Sequence, residues 1–170
     1  MEDDLISAVI MDIGSSSCKI GTTGEEKPTC VFPNFVGMTK TSAKSTEKEL
    51  YIGNEAVEKR GVLNLSKPVN RGIITDWDSL EHIWNYSYLE GIKMDSSSHP
   101  ILYALSPLAS SVAKERIMLI FFETFGVEGF YCCPNPVLSM YGTGRTTGSI
   151  IDSGDEVTTV SLIKNGDIVP

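Results

Sequence analysis

Two short apolar segments, each running into an aspartate and a glycine-containing turn, constrain this chain more than any other feature. The first segment, residues 6–11, stops at Asp12-Ile13-Gly14-Ser15, and the second, residues 148–151, stops at Asp152-Ser153-Gly154-Asp155. Each turn is followed by another β-rich segment, so each pattern predicts a hairpin with the turn at its tip. The chain therefore repeats one strand–turn–strand unit near its two ends.

Turns of this kind suit phosphate binding. Glycine permits tight bending and lets backbone N–H groups converge on an anion, and the Ser15 hydroxyl adds a donor. Lys19 offers a positive charge to phosphate oxygens. Aspartates fit beside phosphate when a divalent cation is present, because Mg²⁺ is held by a few carboxylates, waters and phosphate oxygens. Asp12, Asp152 and Asp155 are candidates to serve such a cation through water.

Each turn, taken by itself, is more typical of a plain β-turn without a ligand. The pairing strengthens the case for phosphate binding, but the pattern alone still favours plain turns. Neither the P-loop pattern G-x-x-x-x-G-K-[ST] nor the Rossmann pattern G-x-G-x-x-G occurs in the chain.

Composition excludes several other classes of function. The 170 residues carry a net charge of -8 without a basic patch, which argues against nucleic acid as a partner. No signal peptide and no apolar run long enough to span a bilayer is present, so no membrane contact is expected. The four cysteines form no C-x-x-C pair, and we expect reduced thiols in a cytosolic protein, with Cys132 and Cys133 buried in an apolar run.

Helical and strand patterns alternate between the two turns. Strands are predicted at 29–32, 50–53, 100–105 and 127–133, and helices at 55–60, 77–88, 110–125 and 136–141. In the helix 110–125 the expected apolar positions are Val112, Ile117, Ile120, Phe121 and Phe125. Residues 38–48 are polar and predict a mobile loop, and Asn165-Gly166 predicts a hairpin turn. This order predicts an α/β fold, a mixed sheet with flanking helices.

Motifs along the whole chain resemble those of the actin family. They are Val9-Ile10-Met11-Asp12-Ile13-Gly14-Ser15 with Cys18-Lys19, Val31-Phe32-Pro33, Tyr51-Ile52-Gly53-Asn54-Glu55-Ala56, Lys59-Arg60-Gly61-Val62-Leu63, Pro68-Val69-Asn70-Arg71-Gly72 with Trp77-Asp78, Phe122-Glu123-Thr124-Phe125, Gly144-Arg145-Thr146-Thr147-Gly148 and Asp152-Ser153-Gly154-Asp155. The matches are collinear, with few gaps.

The resemblance implies a nucleotide-binding domain of the actin, Hsp70 and hexokinase type, with a ribonuclease H-like sheet. Residues 1–32 and 68–170 would form a large subdomain carrying both phosphate turns. Residues 33–67 would form a small inserted subdomain, with 39–48 as its mobile loop. Family members are more than twice as long, so the chain would be the N-terminal half, and a one-walled cleft would bind nucleotide weakly and expose an apolar face.

The resemblance also implies a set of site residues. Those that would bind ATP or ADP are Gly14, Ser15, Ser16, Lys19, Asp152, Gly154, Asp155 and Val157. Asp12 and Asp152 would hold Mg²⁺ or Ca²⁺ through water, and Asn135 and Asp152 would be the catalytic residues.

Four departures from the family pattern bear on activity. Ser16 replaces a second glycine in the first turn, and Glu156 replaces the last glycine of the second. Glu156 is expected to bring negative charge toward phosphate and to resist a positive φ. Asn135 and Thr159 stand where the family has a glutamine and a histidine that orient the attacking water. Hydrolysis is therefore expected to be slow or absent, although Asn135 between two prolines is equally consistent with a rigid turn residue.

Three hypotheses follow. The first is an actin-like, ATP-binding protein of the cytoplasm and cytoskeleton, whose partners are actin-like subunits or actin-binding proteins, with slow ATP hydrolysis if it is active. The second is a non-hydrolysing scaffold subunit or an inactive truncated product, with chaperones as a further partner. The third, a small-molecule kinase of the same fold, is favoured least.

Overall fold

The computed structural model describes residues 7–39 and 49–169, which form thirteen strands and four α-helices. The strands are β1 (Val9–Ile13), β2 (Ser17–Thr22), β3 (Cys30–Pro33), β4 (Val36–Thr39), β5 (Leu50–Ile52), β6 (Leu63–Ser66), β7 (Val69–Asn70), β8 (Ile73–Ile74), β9 (Ile101–Leu105), β10 (Phe130–Pro134), β11 (Gly148–Ser153), β12 (Thr158–Lys164) and β13 (Asp167–Ile168). The helices are α1 (Asn54–Glu58), α2 (Trp77–Tyr86), α3 (Ser111–Glu123) and α4 (Asn135–Gly142).

The central element is a five-stranded mixed sheet in the order β10-β9-β1-β2-β3. β1 and β10 run parallel to β9, whereas β2 runs antiparallel to β1 and β3. The predicted α/β class, a mixed sheet with flanking helices, is confirmed. The parallel pairing brings the carboxyl ends of β1, β9 and β10 to one edge, which is where functional residues collect in such sheets.

The core lies between this sheet and the helices α2 and α3. Leu80, Ile83 and Trp84 of α2 are fully buried, as their helical spacing predicts. The helix begins at Asp76, whose side chain accepts a hydrogen bond from the backbone N–H of Ser79 at 3.0 Å. After Tyr86 it continues as a π-helical turn, Ser87–Ile92, rather than ending near residue 88 as predicted.

Helix α3 buries only some of its predicted apolar positions. Ile117 and Phe121 are buried, but Val112 is 71% exposed and shares the solvent side with Leu119 and Phe122. Apolar residues occur on all sides of this helix, so their spacing does not define a single buried face.

A second sheet, β11-β12-β13, stands apart from the five-stranded one. One of its faces packs through Ile163 against Val137 and Met140 of α4. Its last hairpin turns at Asn165-Gly166 with φ of 53° and 89°, which confirms the predicted turn.

The opposite face of this second sheet is exposed and apolar. Ile151 and Val160 are cross-strand partners, 72% and 67% exposed, and Leu162 on the same face is 55% exposed. Exposed apolar rows of this kind mark surfaces that pack against another chain segment or partner.

A third sheet, β5-β4-β6, packs with α1 and falls inside the predicted inserted subdomain 33–67. Met38 and Thr39, expected in the mobile loop, instead end strand β4, where they pair with Asn64 and Leu63. Residues 40–48 of that loop lie outside the described residues. The subdomain boundaries stay a prediction.

The four cysteines are free, and Cys132 is only half-buried, in contrast to the buried Cys133.

Across the described ranges, no helix combines the length and apolar character needed to cross a bilayer.

Candidate functional site

The two predicted turns line one pocket of about 100 Å³, although they belong to different sheets. The predicted site residues in its lining are Gly14, Ser15, Asn135, Asp152, Gly154, Asp155 and Val157. Three others, Asp12, Ser16 and Lys19, are not part of the lining. The structure thus brings together seven of the ten predicted positions at the carboxyl edge of the central sheet.

The two turns are built in the same way. The N–H of Gly14 donates to the carbonyl of Ser17 at 3.0 Å, and the N–H of Gly154 donates to the carbonyl of Val157 at 2.9 Å. Neither glycine has a positive φ. A Cβ at Gly154 would meet no atom closer than 3.4 Å, so bending alone does not require glycine there. The missing side chain instead leaves the backbone open beside the pocket.

Backbone donors remain unused at both tips. Within residues 7–39 and 49–169, five tip amides donate to no protein atom: those of Ser15, Ser16, Asp155, Glu156 and Val157. Consecutive unpaired N–H groups in a turn are the usual protein device for binding an anion. The unpaired amides of the two tips are therefore available as donors to an anion such as phosphate.

Asp12 links the first turn to α4. Its Oδ2 lies 3.2 Å from the Nζ of Lys19, and its Oδ1 lies 3.5 Å from the Nδ2 of Asn135. Lys19 is thus paired with a carboxylate rather than free at the pocket. Asn135 is the first residue of α4, and its Oδ1 is buried without a protein partner among the described residues. A buried acceptor at the pocket wall needs a donor, which a water molecule or a ligand in the pocket would supply.

The backbone conformation and the contacts of Glu156 differ from those expected from the sequence. Its backbone does not have a positive φ, so the expected strain is absent. Its carboxylate accepts a hydrogen bond from the N–H of Arg71 and another from the Nζ of Lys67, each at 2.6 Å. The Arg71 amide first, and Lys67 second, lower the pKa of Glu156 below its ordinary value. The hydrogen bond that Lys67 donates to Glu156 in turn raises the pKa of Lys67.

Comparison with known proteins identifies the family of the chain. The actin family model matches residues 3–170. The chain belongs to the actin family. It is 41% identical over 175 aligned positions to an actin-like protein of Neurospora crassa, and the alignment covers 100% of this chain and 46% of that protein. The chain thus spans less than half the length of the curated relative it matches, and the predicted actin-type fold is confirmed.

A divalent cation fits this actin-family pocket only with help from other ligands. Among the described residues, no group of three His, Cys, Asp or Glu side chains is close enough to hold a metal ion. Asp152 lines the pocket, and Asp12 accepts a hydrogen bond from the side chain of Asn135, which also lines the pocket. These two carboxylates suit Mg²⁺ held through water and phosphate oxygens, which is its usual coordination.

Three contacts at the site were not anticipated from the sequence. Asn34 is completely buried, and its Nδ2 donates to the carbonyl of Gly14 at 2.7 Å. Lys67 reaches Glu156, and the N–H of Gly72 donates to the Oγ of Ser15 at 3.1 Å. All three join segments far apart in the chain, so no local pattern signals them.

A second cavity, of about 370 Å³, adjoins the pocket and shares Ile13, Gly72 and Ser106 with it. Its walls are mostly apolar and include Trp77 and Tyr103. The smaller pocket has the converging polar groups that a polyphosphate requires, so we take the smaller one as the candidate site.

Proposed function

We propose that this actin-family chain is the phosphate-holding part of an ATP-binding cytoskeletal protein of the cytoplasm. The observation that carries the proposal is that turns from opposite ends of the chain line one pocket with unpaired backbone N–H groups. ATP or ADP would bind there with Mg²⁺ or Ca²⁺. Actin-like subunits or actin-binding proteins would be its partners.

Each residue has a distinct role in this proposal. The tip amides and the Ser15 hydroxyl would bind phosphate oxygens, because they are donors at the pocket wall. Asp12 and Asp152 would hold waters of the cation, whose charge offsets that of the phosphates. The Oδ1 of Asn135, buried and without a protein partner, would accept a hydrogen bond from a water molecule and orient it.

Hydrolysis would be slow. Thr159 lines the pocket with a hydroxyl that cannot act as an imidazole base. Asn135 is one methylene shorter than glutamine, and a misplacement near 1 Å lowers a rate by about a hundredfold. The phosphates would serve mainly to hold the two sheets together.

A second candidate function is a scaffold subunit that does not hydrolyse nucleotide. The ion pair between Lys67 and Glu156 favours it, because this contact holds the second turn without any ligand. The exposed row Ile151, Val160 and Leu162 would then pack against the rest of an actin-related protein or against another subunit.

Equilibrium binding of fluorescent ATP in Mg²⁺, to this chain and to the longest natural form of the protein, tests the proposal. We expect saturable binding that EDTA weakens and unlabelled ADP displaces. Sedimentation with and without ATP separates the two candidates, because only the first forms nucleotide-dependent filaments. Absence of nucleotide binding in the longest natural form would refute the ATP-binding proposal.

A further inference from the structure

We propose that Glu156 is a built-in competitor of the anionic ligand. Its carboxylate occupies the Lys67 ammonium and the Arg71 N–H, two donors that phosphate oxygens would otherwise use. This inference rests on the proposed function, since the competing anion is the polyphosphate of the nucleotide. It makes Glu156 a specificity-determining residue, which sets how strongly binding depends on a divalent cation.

Both oxygens of the Glu156 carboxylate are engaged. Oε1 lies 2.6 Å from the Nζ of Lys67, and Oε2 lies 2.6 Å from the N of Arg71. Lys67 also lies 3.2 Å from the Oδ2 of Asp155, so one ammonium is shared by two carboxylates of the second turn. Charge-assisted hydrogen bonds of this length are the strong ones.

The charges around the pocket are unbalanced. Its lining contains three carboxylates, those of Asp152, Asp155 and Glu156, and no lysine or arginine. The two ammonium groups nearest to it in the contact network are already paired, Lys67 with the second turn and Lys19 with Asp12. A polyphosphate without a metal would therefore meet carboxylates whose compensating cations are committed to them.

The turn between β7 and β8 gives the competition a structural basis. Arg71 and Gly72 form this two-residue turn, with φ of 49° and 76°. The Arg71 N–H points to Glu156 and the Gly72 N–H points to Ser15, so one turn contacts both phosphate turns. A ligand that displaces the Glu156 carboxylate gains a backbone donor and a lysine at the pocket edge.

Competition by Glu156 and a purely structural ion pair predict different changes in the affinity of the variants for a metal-free anion. Neutralising Glu156 removes a negative charge and leaves Lys67 paired with Asp155 instead of with two carboxylates, so metal-free anion binding should strengthen. Neutralising Lys67 leaves the Glu156 carboxylate uncompensated, so the same binding should weaken. A contact that only stabilises the fold would give weaker or unchanged binding in both variants.

The test uses inorganic tripolyphosphate in EDTA at low salt, with binding measured by calorimetry on this chain. We expect Glu156→Gln to bind about tenfold more tightly than the unsubstituted chain, which corresponds to about 1.4 kcal/mol. Glu156→Ser, a second neutral variant, should shift in the same direction, and Lys67→Met should bind several-fold more weakly. Glu128→Gln is the matched control, because Glu128 is exposed and not part of the pocket lining. Thermal unfolding of each variant checks folding.

The outcomes separate this inference from the proposed function. If the unsubstituted chain binds MgATP but neither Glu156 variant tightens metal-free binding, the proposed function stands and the competition is refuted. If the chain does not bind MgATP while a Glu156 variant binds tripolyphosphate, the competition stands and nucleotide binding by this chain is refuted. If neither the unsubstituted chain nor any variant binds MgATP or tripolyphosphate, both the competition and nucleotide binding by this chain are refuted.

Discussion

Replacement of Asn34 by aspartate should destabilise the chain strongly and in a pH-dependent manner. Asn34 is 0% exposed; its Nδ2 donates to the carbonyl of Gly14 at 2.7 Å and its backbone N–H donates to the carbonyl of Ser16 at 2.9 Å. Asn34 therefore fixes the first turn through hydrogen bonds to two of its carbonyl groups. Aspartate has nearly the same shape, but an ionised carboxylate accepts hydrogen bonds and cannot donate to Gly14.

The magnitude follows from the cost of protonation. A buried carboxylate facing a carbonyl oxygen is disfavoured, so the folded protein would hold it protonated, with a pKa raised above the ordinary value of about 3.9. Protonating such a group costs about 1.4 kcal/mol per pH unit above 3.9, so about 4 kcal/mol at pH 7 and about 1.5 kcal/mol at pH 5. Because the folded state binds more protons than the unfolded state in this range, stability falls as pH rises.

Urea unfolding followed by tryptophan fluorescence measures this effect, since Trp84 is fully buried. Asn34→Ala should lose about 1–3 kcal/mol at every pH, because the Gly14 carbonyl loses its partner. Asn64→Asp is the control for the chemical change, since Asn64 is exposed on β6. The reasoning is refuted if Asn34→Asp shows the same pH dependence as the unsubstituted chain and loses no more stability than Asn34→Ala at pH 7.

Three further predictions concern separate parts of the fold. Gly154→Ala should leave stability unchanged or raise it by up to about 1 kcal/mol, since its φ is not positive and its Cβ fits, yet lower ATP affinity at least tenfold in a titration. Asp76→Ala should cost about 2 kcal/mol in urea unfolding, because the cap on α2 through Ser79 is lost. Burial raises the pKa of the Cys18 thiol, so mass spectrometry after native alkylation should find Cys132 modified well before Cys18.

Each of these three has a contrary result. Full ATP affinity in Gly154→Ala would mean that phosphate does not approach that backbone. An unchanged midpoint in Asp76→Ala would mean that the cap contributes nothing measurable. Equal labelling of the two thiols would mean that the central sheet opens readily around Cys18, which lies on β2 between β1 and β3.

The sequence predicts the local parts of the site well and its long-range parts poorly. Both hairpins are encoded by an apolar strand followed by Asp-x-Gly, and the Asn165-Gly166 turn by a dipeptide that tolerates positive φ. The partners of Glu156 are not encoded locally in this way, because only the complete fold brings Lys67 next to Glu156. Asn34 carries no signal either, since a buried asparagine looks in sequence like any loop residue.

The errors also have physical causes. The apolar positions predicted for α3 surround the helix, so the spacing does not show that Val112 is exposed. Only the packing of Ile117 and Phe121 on the sheet decides which side is buried. The π-helical turn after Tyr86 has no distinctive composition. At Glu156 the sequence indicates only repulsion between its charge and phosphate, because its partners Lys67 and Arg71 are distant in the chain.

The separation of the two turns between two sheets has a mechanical consequence. The sheet β11-β12-β13 packs on α4 through Ile163 and Met140, and α4 follows directly from β10 of the central sheet. The distance between Gly14 and Gly154 therefore depends on how α4 packs against the second sheet, in addition to the contacts that Lys67, Arg71 and Gly72 make with the two turns. Substitutions at Met140, which does not line the pocket, are therefore expected to change the distance between the two turns through the packing of α4.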